Sequence, residues 1–94
     1  MAADVLIVDD EADIRELIAG ILQDEGYETR LAHHSDAALT EVNQRRPSLI
    51  ILDIWLQGSK LDGLDLLQVI KEQHQDVPVV IISGHGNIET AVAA

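Results

Sequence analysis

Three four-residue runs in this sequence contain only branched aliphatic side chains: Val5-Leu6-Ile7-Val8, Leu49-Ile50-Ile51-Leu52 and Val79-Val80-Ile81-Ile82. A strand with one wet face alternates apolar and polar residues, whereas an unbroken apolar run needs cover on both faces. Each run also stops at a polar residue: Asp9, Asp53 and Ser83. Between them lie helical patterns. Ile14, Leu17, Ile18, Ile21 and Leu22 recur at offsets 0, 3, 4, 7 and 8, one face of an amphipathic helix, with Gly26 as its C′ residue. Residues 27–32 read as a shorter, more polar strand at a sheet edge. Ser35 is placed to cap a second helix carrying Ala38, Leu39 and Val42. A third helix is expected near residues 62–74, with Leu66, Leu67 and Ile70 inward. Asn87 is placed to cap a last helix bearing Ile88, Ala91 and Val92.

Strand and helix therefore alternate four times with short connections, which predicts an α/β fold: a doubly wound parallel sheet with helices on both faces. Residues 1–94 are expected to form one domain. The pattern stops inside the fourth helix, so the domain is expected to be incomplete at its C-terminus, with Val79–Ile82 as an exposed edge and self-association as one consequence.

The net charge of -11 disfavours nucleic acid and anionic membrane as direct partners of this segment. Cysteine is absent, which removes disulfides and thiolate metal sites and fits the cytoplasm. The N-terminus has no basic region and its apolar run is too short for a signal peptide. No stretch approaches the roughly 20 apolar residues of a membrane span.

In open parallel sheets, function gathers at the carboxyl ends of the strands. If the first and third strands are neighbours, Asp9, Asp10 and Asp53 converge. Carboxylates that close raise one another's pKa and require compensation. A hard divalent cation such as Mg²⁺ provides it, and a carboxylate beside such a cation is a nucleophile toward a phosphoryl group. Asp9, Asp10, Glu11 and Asp13 also suit a helix N-terminus without any metal, and Ser83 suits a simple strand-end hydrogen bond. Asp53, after four aliphatic residues, is harder to explain by such an ordinary use.

With Asp9-Asp10 after the first strand, Asp53 after the third and Ser83 after the fourth, the chain resembles the receiver domains of two-component response regulators along its whole length. The resemblance implies a flavodoxin-like receiver fold with strand order 2-1-3-4. It makes Asp53 the phosphoacceptor, and Asp9, Asp10, Asp53 and the Trp55 backbone carbonyl a Mg²⁺ site. Asp10 is the direct ligand, Asp9 acts through water, and Ser83 is the switch hydroxyl. The function implied is a phosphorylation-dependent switch, not a turnover enzyme, that takes phosphate from a sensor histidine kinase. The alternative is a phosphorylation-independent binding module. A phosphohydrolase ranks below both, because Trp55 stands where a second acid would be needed.

Two runs, residues 52–59 and 82–91, look like the nitrogen-related regulators of the NtrX and NtrC type. That likeness implies transcription regulation through an ATPase acting on sigma-54 polymerase and a helix-turn-helix DNA-binding domain, neither of which lies in this sequence; a homodimer is a further possibility it raises. The sequence departs from the family pattern in two places. Gln57 replaces the usual proline, and the loop is longer, with Asp62-Gly63 arriving late. The family's lysine and aromatic switch residue are expected to lie beyond Ala94.

Overall fold

The structure, a computed structural model, describes residues 3–53, 63–82 and 88–91. The elements are β1 (Asp4–Val8), α1 (Ala12–Asp24), β2 (Glu28–Ala32), α2 (Ser35–Gln44), β3 (Leu49–Asp53), α3 (Gly63–Gln73), β4 (Val79–Ile82) and β5 (Ile88–Ala91). They form one sheet in the order β2-β1-β3-β4-β5. The first four strands are parallel and follow the expected order. The family-type doubly wound fold is therefore present.

The aliphatic runs divide between the two faces by strand alternation. Leu6, Val8, Ile50, Leu52, Val79 and Ile81 pack with Ala38 and Val42 of α2 and with Leu66 and Ile70 of α3. Val5 and Ile7 point the other way, against Ala19, Ile18 and Leu22 of α1. Every residue of β1 is buried, which explains why its pattern is unbroken rather than alternating.

Four details differ from the sequence reading. First, Ile88–Ala91 is a strand, not the start of a helix, and pairs antiparallel with β4, Ile82 opposite Ile88. The same residues laid on β4 satisfy its open backbone edge. Second, β4 is consequently not the edge strand; β5 is. Third, the α1 stripe is only partly inward: Leu17 is 61% and Ile21 56% exposed, while small Ala19 is buried. The helix turns its Ala19 side to the sheet and packs on β1 and β2. On that face Leu49, Ile51, Val80 and Ile82 stay half-buried. Fourth, α2 is capped by His34, whose Nδ1 accepts from the Ala37 N–H at 3.0 Å, and Ser35 is buried within the helix's first turn. His34 is fully extended there, the backbone a cap needs, whereas Ser35 is already helical.

Gly26 behaves as expected. Its φ of 92° ends α1 in the left-handed region that only glycine adopts without strain. Tyr27 then returns its N–H to the Leu22 carbonyl at 3.0 Å. At the amino-terminal end of the sheet, Arg30 of β2 grips Asp4 of β1 with two bonds of 3.0 and 2.7 Å. It also donates to the Glu41 and Arg45 carbonyls at 2.7 and 2.8 Å, and Arg45 adds a third bond to Asp4 at 3.1 Å.

Among the described residues, no helix is long and apolar enough to cross a membrane.

Candidate acidic metal centre

The pairing of β1 with β3 aligns Val8 with Leu52, so the next residue on each strand, Asp9 and Asp53, emerges at the same rim. Asp10 follows Asp9 in the turn leading to α1. One carboxylate oxygen from each of Asp9, Asp10 and Asp53 lies within 4.8 Å of the others. Asp9 and Asp53 are buried and Asp10 is half-buried. This convergence follows from the fold. Parallel strands all end on one side, and the strand order reverses beside β1.

The electrostatic cost of the arrangement falls on Asp9. Burial pushes its carboxyl up from 3.8 to about 6, and the charges of Asp53, Asp10 and Glu11 push the same way. The Glu11 N–H, donated to Asp9 Oδ1 at 2.8 Å, pulls in the opposite direction but does not prevail. Two further bonds fix the residue. Asp9 N–H donates to the Ala32 carbonyl at 3.1 Å, and the Asp9 carbonyl accepts from Arg15 Nη1 at 2.6 Å. Asp53 closes β3 opposite Ile82, the chain neighbour of Ser83.

Three of the five residues named from the sequence, Asp9, Asp10 and Asp53, are thus brought together; Trp55 and Ser83 lie outside the described residues. Arg15 was not anticipated. The one available signal was that it is the only basic residue in residues 12–24. Three carboxylates, two of them buried and one pushed toward neutrality, form a donor set suited to a hard divalent cation.

Residues 5–94 match the family described as "Response regulator receiver domain". The chain is 69% identical over its full 94 residues to the nitrogen assimilation regulatory protein NtrX of Azorhizobium caulinodans, and covers 21% of that protein. It superposes on the crystal structure of NtrX from Brucella abortus with a TM-score of 0.88 and 67% identity, covering 93% of this chain and 19% of that one. The crystal structure of the receiver domain of NtrX from Brucella abortus gives a TM-score of 0.86 at 65% identity, covering 89% of this chain and 70% of that one. The chain belongs to the response regulator receiver domain family, within which it is closely related to the nitrogen regulators of the NtrX type. It spans about a fifth of the length of the NtrX-type relatives it matches.

Proposed function

We propose that Asp53 is the phosphoacceptor and that Asp9, Asp10, Asp53 and the Trp55 carbonyl hold Mg²⁺, with Asp10 bound directly and Asp9 through water. The observation that carries this reading is the set of three carboxylates within 4.8 Å at the carboxyl ends of β1 and β3. The phosphodonor is the phosphohistidine of a sensor kinase. An Asp53 carboxylate oxygen attacks phosphorus; the P–N bond breaks, and the imidazole leaves with its electron pair and takes up a proton. The product is an acyl phosphate on Asp53. Mg²⁺, when bound, neutralises charge on the carboxylates and the phosphoryl oxygens. The protein's own part is to hold Asp53 at a fixed, buried strand end so that little ordering remains at the moment of transfer. Ser83, one residue past the partner of Asp53, then turns its hydroxyl to the new phosphoryl group.

The wider setting we propose is the one the resemblance implies: a cytoplasmic regulator in nitrogen assimilation, as the relative's name has it, with a homodimer as its proposed assembly and with DNA and sigma-54 polymerase reached through output domains of the kind that resemblance implies. The direct test is mass spectrometry after incubation with acetyl phosphate and Mg²⁺. One phosphoryl mass on Asp53 is expected, lost with Asp53→Asn and with chelation. Asp10→Asn should weaken Mg²⁺ binding by about tenfold or more, because a charged oxygen ligand is removed. No mass gain, together with no binding of beryllofluoride, would return the domain to a phosphorylation-independent binding role.

A further inference from the structure

Arg15 is the one cation that the described structure fixes to the acidic centre, and the way it is held indicates its role. Its guanidinium Nη1 donates to the Asp9 main-chain carbonyl at 2.6 Å. Arg15 is also tied to the same turn through its own backbone, its N–H donating to the Glu11 carbonyl at 3.1 Å. The turn from Asp9 to Glu11 is therefore bracketed on three sides. Ala32 holds the Asp9 N–H, Arg15 holds the Asp9 carbonyl, and the Glu11 N–H holds Asp9 Oδ1. The α1 N-cap residue, Glu11, makes no side-chain cap bond, so helix capping does not fix this turn. The turn is held instead by the three bonds to Asp9.

We infer that Arg15 is a positioning residue of the metal centre, clamping the β1–α1 turn so that Asp9 and Asp10 are presented together to the cation. The inference rests on the proposed Mg²⁺ reading of the trio and names a residue that reading does not include. Two roles for Arg15 predict opposite results. As a bare positive charge near the pocket, it would repel Mg²⁺, and removing it would tighten binding. As a clamp, it orders the ligands before the metal arrives, and removing it weakens binding. Partners that orient metal ligands typically contribute about 10–100-fold in affinity.

The experiment is a calorimetric Mg²⁺ titration of the intact chain at a pH well above 6, where Asp9 is ionised, comparing the parent with Arg15→Ala and Arg15→Lys. The expected result is a loss of about tenfold for Arg15→Ala, at the lower end of that range. Arg15→Lys, which keeps the charge but reaches with a single shorter donor, should recover only part of it. Phosphoryl uptake from acetyl phosphate should follow the same split: Arg15→Ala needs more Mg²⁺ for half-maximal rate but approaches the parent rate at saturation. In the metal-free protein, the Glu11 amide, bonded to Asp9 Oδ1, should exchange faster in Arg15→Ala. Binding by Arg15→Ala that equals or exceeds the parent overturns the inference. If Arg15→Ala fails to fold by circular dichroism, Arg15→Lys decides alone, and parental affinity there overturns it. A parent that does not bind Mg²⁺ overturns the metal reading itself, which is a separate outcome.

Discussion

Above pH 6 the metal-free Asp9 side chain carries a charge that its surroundings disfavour. The folded protein holds this carboxyl near 6, against an ordinary value of 3.8, chiefly because it is buried and then because Asp53, Asp10 and Glu11 repel it. Between those two pH values the folded chain binds a proton that the unfolded chain does not. Stability therefore rises as pH falls from neutral through 6, the reverse of the usual carboxylate trend. Above 6 both states are ionised and the folded state bears the whole cost, at most about 3 kcal/mol at roughly 1.36 kcal/mol per pKa unit. Thermal melts of metal-free protein should show the melting temperature climbing from pH 7.5 to about 5, and Asp9→Asn should flatten the climb. Saturating Mg²⁺ should reverse it, because protonating the acidic cluster then opposes binding of the cation. A melting temperature that falls steadily over this range would mean that Asp9 is not the strained group.

Among the elements, α2 is the one most dependent on residues outside itself. Its last turn has no basic residue, yet its end is held by Arg30 of β2 through the Glu41 and Arg45 carbonyls. Arg30 also neutralises Asp4, buried at the start of β1. Arg30→Met should cost roughly 2–3 kcal/mol in urea unfolding, less than the 3–5 of a broken, fully buried pair, because Arg45 still reaches Asp4. Arg30→Lys should recover little, since one ammonium cannot replace a two-bond grip. A loss below about 0.5 kcal/mol would place the network among ordinary surface ion pairs.

These contacts also mark what a sequence can convey. The aliphatic runs at residues 5–8, 49–52 and 79–82 announced β1, β3 and β4, because burial on two faces leaves no freedom in residue type. The convergence of Asp9, Asp10 and Asp53 followed once β1 and β3 were neighbours. The Arg30 network was invisible, because its partners lie 26 and 11 residues away and nothing local links them. The helical pattern at Ile88 and Ala91 misled because pairing with β4, a tertiary gain, outweighs a local helical preference. The α1 stripe misled more subtly. Leu17 and Ile21 have the right period, but Ala19 lets the helix approach more closely on its other side.

For the molecule as a whole, the two faces of the sheet are unequally covered. α2 and α3 share one face; among the described residues only α1 packs on the other, over β1 and β2. The remainder of that face presents half-buried Leu49, Ile51, Val80 and Ile82. Apolar cover here is worth about 1.5–3 kcal/mol per fully buried side chain, and the net charge of -11 opposes any second copy that supplies it. Association should therefore strengthen with salt: sedimentation velocity should show a concentration-dependent dimer at about 0.5 M NaCl and a monomer at low ionic strength. Ile51→Thr with Val80→Thr, both on this face, should suppress the dimer, with monomer melting followed alongside. A monomer at every salt and concentration would show that this face needs no partner.

The central place of β1 also has a consequence in time. Its first residues pair with Glu28 and Thr29 on one side, but the other side waits for Leu49 and Ile50. A ribosome adds roughly 5–20 residues per second, so the most apolar strand near the start of the chain spends about 2–9 seconds without its second neighbour. Through that interval Val5–Val8 keeps one open edge, and whatever protects that edge must come from outside the part of the chain already made. Ribosome-tethered chains halted before Leu49 emerges should be open to protease at β1, and chains halted after Asp53 emerges should be shielded there. The most deeply buried part of this domain is thus the part that stays unguarded longest as the protein is made.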